Sequence, residues 1–104
     1  MKTGQEKSEI RKLAEWIHDM SWEKMPGKVQ EAAGLRVLDL VGAGLGAVND
    51  PLMEAVIASY GSRYGRGPAS VWGRSEKFPV EIAAKVNAML AHTLELDDVH
   101  PASK

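Results

Sequence analysis

LRVLDLVGAGLGAVNDP, residues 35–51, is apolar on nearly every side from Val37 onward, with Asp39 the one charge among those positions before Asp50. Read upstream, Val29, Ala33, Val37, Leu40, Val41 and Leu45 continue one stripe at three- and four-residue spacing. The pattern predicts a helix from Pro26 to Val48, stopped by Asn49–Asp50–Pro51. A helix with apolar residues all round is expected to be buried on most sides, which makes this the central helix of a helical domain. Gly42, Gly44 and Gly46 work against it, at about 1 kcal/mol each relative to alanine and about 3 kcal/mol together. The spacing Gly42-x-x-x-Gly46 leaves two bare positions on one face. There a second backbone is expected to approach closely, and the packing gained would offset the cost.

The same glycines fit a dinucleotide-binding fingerprint formally, as Gly42-x-Gly44-x-x-Ala47. That fingerprint needs a helix to begin at the glycines, so that its first amides meet a pyrophosphate. Here the helical pattern precedes them and Asn49–Asp50–Pro51 ends it at once, so the structural reading is preferred.

Working outward, a first helix is predicted from Ser8 to Met20, with Ser8 as N-cap and Ile10, Leu13, Ala14 and Ile17 on one face. His18 is expected on its surface. A third helix, Pro51 to Arg63, carries Leu52, Ala55, Val56 and Ser59 and is expected to end near Gly61. Residues 61–79 hold Gly61, Gly65, Gly67, Pro68, Gly73 and Pro79 and read as a loop, with a short extended piece at Ala69–Trp72. The last helix, Pro79 to Leu96, turns Ile82, Val86, Met89, Leu90 and Leu94 inward. The fold class is therefore all-α: about four helices of a bundle, with a Gly/Pro-rich loop between the third and fourth. Trp16, Trp22 and Trp72 are read as core or interface residues rather than as a ligand platform.

At 104 residues the chain suits one domain. Its net charge of -1 lacks the basic excess of a nucleic-acid binder. It has no cysteine, which excludes disulfides, thiol catalysis and Cys-ligated metal within the chain. The amino terminus lacks a secretory core, and residues 35–48 are too short to span a bilayer. A cytoplasmic protein without a membrane partner is expected.

Chemistry-bearing side chains concentrate in HTLELDDVHPASK, residues 92–104, with two His, three acids and a Lys. His92 and Glu95 would share a helical face. Asp97 and Asp98 would lie at or past the helix end, where the dipole disfavours acids. Three readings stay open from the residues alone. One is a solvated helix end, one a metal site of Asp97, Asp98 and His100, and one acid–base chemistry on a small carboxylated substrate.

The run AAKVNAMLAHTLELDD, residues 83–98, resembles a signature of the MmgE/PrpD family, which includes 2-methylcitrate dehydratase. Leu38–Gly42 is similar to that family's "llDtlG" helix and Ala69–Gly73 to its "atv.G" stretch, and Pro26 stands where the family has a proline before its long helix. The resemblance covers the chain from about Leu13 to Lys104. It implies an enzyme of several hundred residues, with an all-helical larger domain and a second α/β domain capping the site. The expected chemistry is dehydration, epimerisation or decarboxylation of small di- and tricarboxylic acids, without metal or organic cofactor. Carried over by position, Glu95, Asp97, Asp98 and His100 are catalytic and His92 and Lys104 bind substrate. Val99 replaces the family's Thr, and the segment is most similar to the iminodisuccinate epimerase side of the family. On this reading residues 1–104 are a partial amino-terminal helical domain, inactive as they stand and homo-oligomeric. The alternative is a small self-associating helical module without catalysis.

Overall fold

The computed structural model describes residues 7–96. Four α-helices form: α1 (Glu9–Asp19), α2 (Gly27–Gly46), α3 (Pro51–Tyr64) and α4 (Val80–Thr93). A two-stranded antiparallel ribbon, β1 (Ala69–Ser70) with β2 (Lys77–Phe78), pairs Ala69 with Phe78 and Ser70 with Lys77. The all-α class is thus observed, and the predicted extended piece at 69–72 contributes two residues to the ribbon. No single described helix is long and apolar enough to cross a membrane. The chain divides into two compact units, residues 1–33 and 34–104.

In the first unit, the Ser8 hydroxyl accepts from the Arg11 amide, as its N-cap position predicts. Lys7 and Arg11 both contact the Glu15 carboxylate, at 2.7 and 3.3 Å, and hold its pKa below the ordinary glutamate value. A single 3₁₀ turn, Trp22–Lys24, follows, and the Gln30 amide donates to the Trp22 carbonyl at 2.7 Å. His18 is exposed as expected. The apolar stripe of α1 is exposed too: Ile10 is 82% accessible and Trp16 59%, and no residue of α1 is buried.

The second unit holds the core, and the core is not on α2. It joins Met53 and Ile57 of α3, Val71, Phe78 of β2, and Ile82, Ala83, Val86 and Leu90 of α4, with Ala47 beside them. Val86 and Leu90 are wholly inaccessible. Full burial of such side chains contributes about 1.5–3 kcal/mol each. On α3 the inward residues are Met53 and Ile57, flanked by Val56 and Tyr60, whereas Leu52, Ala55 and Ser59 are exposed. The predicted face was one position out of phase. Asp50 caps the start at Pro51 as expected, its carboxylate accepting from the Leu52 and Met53 amides, and the inward face is the one that packs with Phe78, Ile82 and Val86. Gly61 does not end α3. It sits within the helix facing the Phe78 ring, and Gly65, at φ 69°, supplies the terminus instead.

The expectation that α2 is the buried central helix is overturned. Leu35, Val37, Leu38 and Leu45 are exposed, Leu38 by 69%, and Gly44 is the one buried residue of α2. The close-approach glycine is also a different one. Gly42 has nothing within 4 Å of where a Cβ would stand, whereas at Gly44 a Cβ would collide with the Trp72 indole. Gly46 faces the Leu94 side chain at 3.2 Å. An aromatic ring, rather than a second helix backbone, uses the bare surface. Of the three tryptophans only Trp72 packs on the core, and Trp16 and Trp22 are exposed. The nucleotide fingerprint is excluded by geometry, since Gly42 and Gly44 lie in the last turns of α2 rather than at a helix start.

A polar residue inside α4 fixes the ribbon. The Asn87 Oδ1 accepts from the Trp72 amide at 2.9 Å, and its Nδ2 donates to the Ser70 carbonyl at 3.0 Å. The turn beyond β1 closes with Arg74 N–H donating to the Val71 carbonyl and with Gly73 at φ 72°. Arg74 Nη2 then reaches the Val48 carbonyl at 3.2 Å, tying that turn to the segment after α2. The Lys85 ammonium of α4 lies 5.3 Å from the centre of the Tyr60 ring of α3, and interaction with the Tyr60 side chain raises the lysine's pKa above its ordinary value.

Two substitutions separate the glycine roles. Gly42→Ala should stabilise the chain by about 0.5–1 kcal/mol, because a helix interior prefers alanine and the site is open. Gly44→Ala should destabilise it, because the Trp72 ring must move. Urea unfolding followed by circular dichroism distinguishes them, and equal shifts of the same sign would refute the assignment. Asn87→Ala removes two hydrogen bonds and leaves two backbone groups unpaired, so it should cost about 2–3 kcal/mol in the same assay.

Candidate active-site segment at the exit of helix α4

The chain leaves α4 at a defined corner. Thr93 closes the last turn, and its hydroxyl donates back to the Met89 carbonyl at 2.7 Å. Leu94 is the C-cap at φ -89° and ψ 0°, and the Glu95 amide donates to the His92 carbonyl at 2.9 Å. Glu95 then takes φ 53°, the one left-handed non-glycine residue among those described. For an L residue that conformation costs about 1–2 kcal/mol.

This geometry corrects two expectations. The helix ends at Thr93 rather than Leu96, so His92 and Glu95 do not share a continuous helical face. They leave the same turn, on either side of the left-handed corner. Leu94, expected inward, is 42% exposed, and one of its methyls rests beside Gly46 at the end of α2. That contact sets the α4 exit against the α2 terminus. The site residues therefore stand as follows. His92 and Glu95 are exposed at the exit of α4. Asp97, Asp98, His100 and Lys104 lie outside the described residues. Among the described residues no group of three or more His, Asp or Glu comes together as a metal would require.

Helix α4 delivers its exposed carbonyls to this corner, where positive charge is favoured, and His92 occupies its last turn. An imidazole and a carboxylate leaving one turn are both proton carriers, the type of group that acid–base chemistry beside a carboxylate requires. Neither group is desolvated by the described residues.

Residues 11–104 match the family described as the MmgE/PrpD N-terminal domain. The chain belongs to the MmgE/PrpD family. No curated protein and no solved structure matches it. Two of the segments that carry the MmgE/PrpD resemblance meet. Asn87, from the 83–98 run, holds the backbone of the 69–73 stretch, and Trp72 from that stretch lies on Gly44, two residues beyond the 38–42 piece. Sequence reading missed Asn87. The available signal was an amide within an apolar helix, where asparagine is disfavoured unless its side chain has a partner.

Glu95→Gly relieves the left-handed strain, so the melting midpoint should rise, by about 0.5–1 kcal/mol of stability. Glu95→Val, β-branched at the same φ, should lower it. Thermal melts of the two variants check the corner, and a glycine variant less stable than the parent would contradict it.

Proposed function

We propose that this chain is the amino-terminal helical part of an enzyme that moves protons next to a carboxylate in small di- or tricarboxylic acids. The reaction would be a dehydration, an epimerisation or a decarboxylation. The observation that carries the reading is the family match, which spans all six residues His92, Glu95, Asp97, Asp98, His100 and Lys104. Glu95, Asp97, Asp98 and His100 act as the acid–base groups, and His92 and Lys104 hold substrate carboxylates through positive charge. No metal or organic cofactor is required for that chemistry. The working compartment is the cytoplasm.

Two features support a partial domain that acts within a larger assembly. The matching family is described as an N-terminal domain. The apolar side chains of α2 are also exposed where an enzyme interior would be dry. On this reading residues 1–104 do not turn over substrate alone. They associate through apolar faces, as a homo-oligomer or with the rest of the enzyme.

The exposed stripe of α1 favours a second reading, a helical module that self-associates and has no catalytic site. Light scattering of the full chain, with NMR-detected turnover of citrate-like and succinate-like acids, separates the two from a third outcome. Assembly without turnover is expected, and a monomer that converts substrate would overturn both. Within a complete family enzyme carrying this segment, Asp98→Asn and His100→Ala should each lower kcat by about 10²–10⁴-fold, while Lys104→Ala acts mainly on KM. Steady-state kinetics in which the first two variants stay within about threefold of the parent would refute the catalytic assignment and leave the module.

A further inference from the structure

The apolar face of α1 has a raised end and a hollow end. Ile10, in the first turn, is the most exposed large apolar side chain among the described residues, and Leu13 and Ile17 follow it, each more than half exposed. Where α1 runs toward the 3₁₀ turn, a groove of about 310 Å³ opens between Trp16, Ile17, Met20, Trp22 and Met25. Ile10 and Ile17 stand seven residues apart, about 10 Å along the helix axis. Ile10, Leu13, Trp16, Ile17 and Trp22 together leave roughly 700 Å² open to water. That is more than a monomer ordinarily exposes in one apolar patch. The charges beside the face cancel. Lys7, Arg11 and Lys12 stand against Glu9, Glu15 and Asp19, and Glu9 and Glu15 are already paired with those cations. No net local charge opposes the approach of an identical surface.

We infer that α1 pairs with α1 of a second copy of this chain, antiparallel, about a twofold axis beside Leu13. A twofold contact presents the same patch from both sides, so each copy must carry both the projection and the recess. Antiparallel pairing sets Ile10 of each copy opposite Ile17 of the other, where it fills the groove. Parallel pairing would set hollow against hollow and leave both grooves open. The two faces together bury on the order of 1,400 Å², within the range of specific interfaces. The inference rests on the association proposed above and deepens it by naming the face and the partner. The exposed side chains of α2 play no part in it.

Sedimentation velocity of the full chain, from about 1 to about 500 μM, should show a monomer–dimer equilibrium. Leu13→Glu should weaken the dimer at least about tenfold, because a charge would be buried at its centre. Leu38→Glu, on the exposed face of α2, should leave it within about twofold of the parent. Both positions are exposed, and circular dichroism checks that the helices persist. The chain has no cysteine, so single replacements report the geometry. Under mild oxidation Leu13→Cys should link to its own copy, and a mixture of Ile10→Cys with Ile17→Cys should link faster than either variant alone. A monomer at every concentration would overturn both this inference and the association it rests on. A dimer indifferent to Leu13→Glu, or one in which Ile10→Cys links to itself faster than to Ile17→Cys, would overturn this inference and leave the association standing.

Discussion

The Asn87 side chain reaches out of α4 and takes both a donor and an acceptor from the backbone of 70–72. A two-residue ribbon has too little pairing of its own to persist in water. Held this way, its Val71 and Phe78 side chains close over Val86 and Leu90, and its Trp72 ring comes to rest on Gly44 of α2. Removing the amide would free the ribbon, then the indole, then the last turn of α2. The corner at Thr93–Glu95 depends on the same chain of contacts, because Leu94 lies against Gly46 two residues further along that turn.

How much of this was legible in the sequence differs by residue. The helices and the inward Ile82, Val86 and Leu90 followed from periodicity alone, because a regular helix gathers those positions on one face, the face that α3 and the ribbon cover. The start of α3 was legible in Asn49–Asp50–Pro51, but its rotation was not. The inward face depends on which side meets Phe78 and α4, and periodicity alone leaves adjacent phases open. For α2 the pattern was right about composition and wrong about burial. A period records what a helix can cover, not whether the cover is present. The Gly42–Gly46 spacing misled for a related reason, since Gly44 carries the contact and its partner is a side chain 28 positions away.

The candidate segment was legible as chemistry and as family resemblance, but not as geometry. Clustered imidazoles and carboxylates can be recognised from composition. That His92 and Glu95 are separated by a left-handed residue cannot, because glutamate gives no turn signal of the kind glycine or asparagine gives. The 83–98 run therefore holds both Asn87, which fastens the backbone of 70–72, and Glu95, which turns the chain at the exit of α4.

The three indoles end in unequal surroundings. Trp16 and Trp22 are open to solvent in the unit of residues 1–33, while Trp72 is wedged against a helix backbone in the unit of residues 34–104. Emission from the native protein is thus a blend of two wet fluorophores and one sheltered one. A denaturation curve read at one wavelength mixes the melting of both units. Only the sheltered fluorophore moves to longer wavelength when the core opens, so the optical signature of core unfolding comes from a minority of the total light.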